Sequence, residues 1–86
     1  MDKVFLIRNE EVYDFEEFHH KTIGFKNYDD AKREFDALKE SIKNEYKGEI
    51  ESGWIVEESE TQLQIYRDGE YPEYHHCIFI EEIEVN

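Results

Sequence analysis

Hydrophobic positions near the middle of the chain recur with the period of a helix. Five apolar side chains follow one another at steps of four, three, four and four residues: Ala31, Phe35, Leu38, Ile42 and Tyr46. This stripe predicts an amphipathic α-helix from about residue 28 to residue 47 that packs on a sheet. Asn27 is the predicted N-cap, with Asp30 three residues later, and Gly48 is the predicted C-terminal cap.

Shorter runs rich in β-forming residues predict five strands around this helix. Their predicted ranges are Val4–Ile7, Phe18–Phe25, Gly53–Glu58, Thr61–Arg67 and His75–Val85. The acidic segment 9–17 is predicted to be a hairpin connection, and Phe18, Ile23 and Phe25 are the expected apolar anchors of the second strand. A tight turn near Ser59 joins the third and fourth strands. The order β-β-α-β-β-β predicts an α+β domain, with one helix on one face of a mostly antiparallel sheet.

The last predicted strand has a different pattern on each of its faces. Cys77, Phe79, Ile83 and Val85 share one parity, whereas the other parity carries two isoleucines and then Glu82 and Glu84. Because alternate strand residues point to opposite faces, the pattern predicts a strand that is buried on both faces early and exposed on one face late.

Composition adds a strong negative charge to this outline. The 86 residues form one predicted domain, with 15% aromatic residues to build a small core and a formal charge of −13. Such a charge excludes direct binding to nucleic acid or to an anionic membrane, because phosphates need cations. A basic protein is the partner that it favours.

The acidic residues are concentrated in the second half of the sequence. Residues 1–48 hold 12 acids and 9 bases, whereas residues 49–86 hold 11 acids and one base, Arg67. Two carboxylates on one strand face, such as Glu82 and Glu84, are about 6.6–6.8 Å apart and imitate successive phosphates. The predicted partner-binding residues are Glu57, Glu58, Glu60, Glu70, Glu73, Glu81, Glu82, Glu84, Tyr66, Tyr71 and Tyr74. The competing interpretation is an acidic surface that only keeps the protein soluble.

Catalytic signatures are absent from the sequence. It has no glycine-rich phosphate loop, no Gly-x-Ser-x-Gly, no His-Glu-x-x-His and no Cys-x-x-Cys. We therefore predict that the protein is not an enzyme and needs no cofactor. The single cysteine, and an N-terminus without the features of a signal peptide, predict a cytoplasmic protein.

Two histidine doublets lie on predicted strands. If these strands are adjacent, one histidine of each doublet meets its counterpart on each face of the sheet. The candidate metal ligands are His19, His20, His75, His76 and Cys77. The competing interpretation treats the histidines as ordinary polar strand residues, since their spacing fits no established metal motif, and we predict no metal.

Several short segments resemble a group of small phage and bacterial domains of unknown function. The similarity is carried by Val4-Phe5-Leu6, Ile23-Gly24-Phe25, Tyr28, Ala31-Lys32 and Ile80-Glu81-Glu82-Ile83-Glu84. The resemblance implies a prokaryotic or phage setting and supplies no activity. In that setting, the expected function is that of a nucleic-acid mimic that inhibits host defence, of the anti-restriction or anti-CRISPR type. The alternative is a small accessory or sensor domain with a metal or ligand at the histidine doublets.

Overall fold

A computed structural model of the protein describes residues 2–20, 22–67, 69 and 74–85. The elements follow in this order: β1 Asp2–Tyr13, β2 Glu16–His19, β3 Ile23–Phe25, α1 Tyr28–Glu45, α2 Lys47–Glu51, β4 Ile55–Glu58, β5 Gln62–Tyr66 and β6 Tyr74–Val85. The α+β class and the packing of one main helix on a mostly antiparallel sheet are confirmed.

The sheet is built around its two longest strands. β1 and β6 pair in an antiparallel ladder from Asp2 opposite Val85 to Tyr13 opposite Tyr74. The strand order is β2-β1-β6-β5-β4, and β3 pairs with β1 on the same edge as β2. The first and last described strands of the sequence are therefore neighbours at the centre of the sheet.

The core lies between α1 and one face of this sheet. Phe35 and Ile42 of α1 pack with Ile7 of β1, Ile78 of β6 and two residues of β5, Leu63 and Ile65. Phe35 and Ile65 are fully buried. The helical stripe predicted from the sequence is the stripe that packs on the sheet, because its apolar residues have nowhere else to leave water.

The predicted C-terminal cap of the helix is wrong, although α1 ends at Glu45, close to the predicted end. Gly48 lies inside α2, and Gly53, with a φ of 114°, follows the end of α2. The helical chain deviates at Tyr46 and then continues, because the amide of Ile50 donates to the carbonyl of Tyr46 at 2.8 Å. Ile50 and Trp54 extend the apolar stripe in steps of four and pack against the core, so burial continues beyond Gly48. The N-cap is confirmed, since the Asn27 side chain accepts from the amides of residues 29 and 30.

The predicted connection at 9–17 is also wrong. β1 runs on to Tyr13, only Asp14 and Phe15 form the turn, and β2 begins at Glu16. Glutamate has weak β propensity, but this part of β1 is paired on both edges, with β2 and with β6. The two ladders satisfy the backbone amides and carbonyls, and this tertiary pairing overrides the local preference.

The predicted second strand is divided into two. β2 pairs with the distal half of β1 and β3 with its proximal half, so the element order becomes β-β-β-α-α-β-β-β. Phe18 and Ile23 were expected as buried anchors, yet they are 44% and 40% exposed at the sheet edge. Only Phe25 of the three packs against the core. An edge strand buries less of each side chain than a central strand, and periodicity alone does not show which strands are central.

The two faces of the sheet follow the parity predicted for β6. Ile78 and Ile80 point to the face covered by α1, here called the inner face, and Cys77 and Phe79 point to the opposite, outer face. On the inner face the sequence of β6 continues with the exposed side chains of Glu82 and Glu84, as predicted.

Candidate functional site

The predicted partner-binding glutamates do not share one face. In the register of the sheet, Glu57 and Glu81 lie on the outer face. Glu58, Glu82 and Glu84 lie on the inner side, and Glu60 lies in the turn between β4 and β5. Consecutive strand residues alternate between faces, so a run of acids in the sequence is divided between two surfaces. Glu70, Tyr71 and Glu73 lie outside the described residues.

Three of these glutamates form ion pairs with bases of the first half of the chain. Lys43 lies 3.1 Å from Glu58, Lys3 lies 3.4 Å from Glu82, and Arg8 pairs with Glu81. β1 lies beside β6, which brings Lys3 and Arg8 to the acidic end of the sequence. The strong charge asymmetry along the sequence is thus partly neutralised in space.

The carboxylates gather instead at the end of the sheet that carries the β1–β2 turn, here called the hairpin end. Three adjoining cavities there share Glu11 in their walls, with volumes of about 340, 320 and 150 Å³. Five described glutamates line them, with Glu10 and Glu17 on the outer face and Glu11, Glu45 and Glu49 on the inner side. Among their described lining residues Arg67 is the single lysine or arginine, so this end is strongly electronegative.

Aromatic side chains run through the hairpin end as a chain of neighbouring rings. Successive ring centroids are 5.1, 6.1, 5.8, 5.5 and 5.9 Å apart in the order Tyr13, Tyr74, Trp54, Tyr46, His76 and His20. Contacts at these distances stabilise a fixed arrangement of rings beyond the area that they bury. The carboxylates are therefore held beside a preorganised aromatic surface.

A partly buried hydrogen-bond network links the two histidine doublets. His76, which is 6% exposed, lies 2.6 Å from the Asn9 side-chain oxygen through Nε2 and 3.1 Å from the Tyr46 hydroxyl through Nδ1. That hydroxyl donates to Glu11, whose other oxygen is 3.1 Å from Nε2 of His20. These five side chains hold one another between the inner face of the sheet and the end of α1.

The network changes the proton affinities of its members. Burial lowers the pKa of His76 and of His75, and burial beside Glu11 raises the pKa of Tyr46. Burial alone raises the pKa of Glu11, but the hydrogen bond to His20, the nearby His76 and the Tyr46 hydroxyl together hold it below its ordinary value. These shifts favour the charged form of Glu11 and the neutral form of His76.

The histidine doublets meet in a different way from the predicted one. β2 and β6 are not adjacent, because β1 lies between them. Even so, His20 and His76 stack across β1, and His19 and His75 line a common cavity with Cys77. Across the described chain, no three His, Cys, Asp or Glu side chains are arranged to hold a metal ion.

Acid should destabilise the fold from about pH 6.5 downward. A histidine with a lowered pKa in the folded state contributes its full stability above the unfolded pKa, and the unfolded chain gains a proton first as the pH falls. Glu11, Glu45, His20, His75 and Tyr46 surround His76. Urea unfolding of the unchanged protein should give a lower free energy of unfolding at about pH 5.5 than at about pH 7.5. This difference should be smaller in His76→Gln and unchanged in the exposed control His19→Gln. An equal loss in all three proteins would contradict this.

The β1–β2 turn has an unusual backbone conformation and also exposes a large hydrophobic side chain. Asp14 and Phe15 have φ values of 52° and 67°, which is the geometry of a two-residue hairpin turn that glycine and asparagine normally occupy. Phe15 is 70% exposed, with Tyr13 at 60% and Phe18 at 44% beside it. A bulky residue kept in a strained and exposed position is typical of a functional surface.

The hairpin end was not predicted from the sequence. Glu10, Glu11 and Glu17 fall in the segment that was predicted to be a connection, and Glu45 falls in the predicted helix. The signal in residues 9–17 was weak, because acids and apolar residues are interspersed there without a period of two. Each face of the strand therefore carries both kinds of residue, and the pattern of a half-buried strand is missing.

Comparison with known proteins gives no relative from which a function could be transferred. No family model, no curated protein and no solved structure matches this chain. Within the described residues, no helix is long and apolar enough to cross a membrane.

Proposed function

We propose that the protein is a non-enzymatic interaction protein whose acidic surface binds a basic, nucleic-acid-binding protein. The observation that carries this proposal is the hairpin end, where five glutamates line adjoining cavities beside exposed Tyr13, Phe15 and Phe18. Aromatic side chains supply contact area, and complementary charge supplies specificity and a fast approach of the partner. Glu82 and Glu84, exposed at the opposite end of β6, form a second and separate acidic patch.

Carboxylates at alternate positions of a strand are spaced like the phosphates of a nucleic-acid backbone, and Glu82 and Glu84 of β6 are such a pair. Side chains on one strand face repeat at about 6.6–6.8 Å, which is near the separation of successive phosphates. A protein that binds nucleic acid through lysine and arginine would meet the same pattern of charge here. In a phage such a mimic would act as an inhibitor of host defence, of the anti-restriction or anti-CRISPR type.

The proposal is tested by capturing binding partners on the immobilised protein and displacing them with nucleic acid. The immobilised protein is exposed to a bacterial lysate at low salt, and bound proteins are displaced with duplex DNA, with RNA or with a neutral polymer. We expect the captured proteins to be nucleic-acid-binding, to leave the column when nucleic acid is added, and to bind far more weakly as the salt is raised. Retention that is insensitive to both salt and nucleic acid would overturn the proposal.

Phe15 provides a variant that separates function from stability. Phe15→Gly removes an exposed ring and a positive-φ strain of roughly 1 kcal/mol, so the free energy of unfolding should stay the same or rise. Binding to the captured partner should nevertheless weaken, and Phe15→Asn should do the same. Val85→Ala, which removes exposed apolar surface at the other end of the molecule, is the control. Unchanged partner binding in both Phe15 variants would show that the Phe15 ring is not part of the interface.

The alternative function is a sensor or accessory domain with a ligand at the histidine doublets. The observation that favours it is the stacking of His20 on His76 at 5.9 Å, beside a cavity of about 320 Å³. We predict that untagged protein carries no stoichiometric zinc or nickel and that a chelator leaves its melting temperature unchanged. A structural metal would contribute a large part of the folding free energy. One equivalent of metal by elemental analysis would favour the alternative.

A further inference from the structure

The largest of the three cavities at the hairpin end has mainly aromatic walls. It is a cleft of about 340 Å³ between α2 and the end of the sheet, a volume at the lower end of the range of small-ligand pockets. Four aromatic side chains contribute to it: Tyr13, Tyr46, Trp54 and Tyr74. Trp54 and Tyr46 pack against the hydrophobic core, which holds their rings in place whether or not the cleft is filled.

Two carboxylates stand among these rings. Glu11 projects from β1 and receives the hydrogen bond of Tyr46, and Glu49 projects from α2 on the opposite wall. A ring face carries partial negative charge, and its attraction for a cation adds to that of the carboxylates. The cleft therefore combines the two features that recognise an organic cation.

The chain itself shows which cation the walls accept. Arg67 lines the cleft with its guanidinium carbon 5.2 Å from the centroid of the Tyr74 ring. A guanidinium is planar and weakly hydrated, so it stacks on aromatic faces more readily than an ammonium group does. Arg67 therefore shows that a guanidinium can lie against this aromatic wall.

We propose that this cleft binds one arginine side chain of the basic partner, with its guanidinium between the aromatic rings and the carboxylates of Glu11 and Glu49. The inference rests on the proposed function, since it supplies the specific contact within a broader electrostatic interface. Arg67 lines the same cleft through its contact with the Tyr74 ring.

The single tryptophan of the chain makes the cleft directly measurable. Trp54 fluorescence is titrated with N-acetyl-arginine amide, N-acetyl-lysine amide and N-acetyl-citrulline amide, the last having an uncharged group of nearly the same shape as arginine. We expect saturable binding of the arginine probe with a dissociation constant of the order of 1 mM. We expect weaker binding of the lysine probe and no saturable response to citrulline.

Two variants on α2 distinguish binding in the cleft from attraction by the net charge of the protein. Glu49→Gln should weaken binding of the arginine probe by about two- to fivefold. Glu51→Gln makes the same change of charge two residues away on the exposed side of α2, outside the lining of the cleft, and should leave probe binding unchanged. Arg67→Ala should strengthen binding of the probe, because it removes a positive charge from the lining of the cleft.

The outcomes distinguish this inference from the broader proposal. Equal responses to arginine and citrulline, or equal losses in Glu49→Gln and Glu51→Gln, would overturn the cleft as an arginine site. Capture of a nucleic-acid-binding partner would still stand in that case. Equal binding of lysine and arginine would overturn the guanidinium specificity. The inference is supported if the arginine probe binds in the cleft and if Glu49→Gln lowers the affinity for the partner whereas Glu51→Gln does not.

Discussion

Replacement of Phe35 by alanine is expected to lower the free energy of unfolding by about 3–5 kcal/mol. Phe35 is fully buried, and it is the largest side chain between α1 and the sheet. The surrounding strands cannot collapse into the space of a phenyl ring, so the loss includes both the transfer of the ring and the cavity that remains. A domain of this size has only about 5–15 kcal/mol of stability, and much of the variant should be unfolded at moderate temperature.

Denaturant unfolding followed by circular dichroism measures this effect. Leu38→Ala should cost less than Phe35→Ala, because Leu38 is only partly buried beside the same core. Glu34→Ala, on the exposed side of the same helix, serves as the matched control for a change to alanine. If Phe35→Ala and Glu34→Ala had the same midpoint, α1 would pack on the sheet by a different face.

Charge reversal at the hairpin end should reduce partner binding by about tenfold or more, mainly through slower association. Glu16→Lys with Glu17→Lys places two cations on exposed positions of β2, beside Tyr13 and Phe15. The comparison is Asp36→Lys with Glu40→Lys, which changes the net charge equally on the exposed side of α1. That side already mixes both signs, so the second double variant should matter less.

The β6 pair adds a third double variant to this experiment. Glu82→Lys with Glu84→Lys should weaken binding less than the hairpin pair does, because Lys3 already neutralises part of the charge of Glu82. Binding rates are measured at several salt concentrations, with folding confirmed by circular dichroism. Equal losses in all three double variants would mean that attraction depends on net charge alone. If all three double variants bound the partner as tightly as the unchanged protein at every salt concentration, the acidic residues would serve only to keep the protein soluble.

The elements that the sequence predicted well are those whose signals are local. The spacing from Ala31 to Tyr46, with Asn27 before it, is enough to define the beginning and the buried face of α1. The parity of β6 likewise defines which of its residues share a face. Hydrophobic periodicity and capping depend on neighbours within a turn or two of the chain, so they can be read without knowledge of the fold.

The candidate site was less accessible from the sequence, because its parts come from distant segments. Glu11, Tyr46 and His76 are separated by 35 and 30 residues, and they meet only because β1 lies between β2 and β6 beneath the end of α1. The exposed ring of Phe15 depends on a turn that common hairpin preferences would not place at Asp-Phe. The strand that contains Glu10 and Glu11 exists because two neighbours pair with it.

The sequence by itself determined the α+β class, the amphipathic helix, the large negative charge and the two-faced pattern of the last strand. Only the tertiary structure decided that β1 and β6 pair along their whole length, and this pairing redistributes the charge. Lys3 and Arg8 then neutralise Glu82 and Glu81, whereas the carboxylates of the hairpin end remain concentrated around the aromatic rings. Electrostatic energy depends on distance in space, and a count of charges along the chain contains no information about which strands become neighbours.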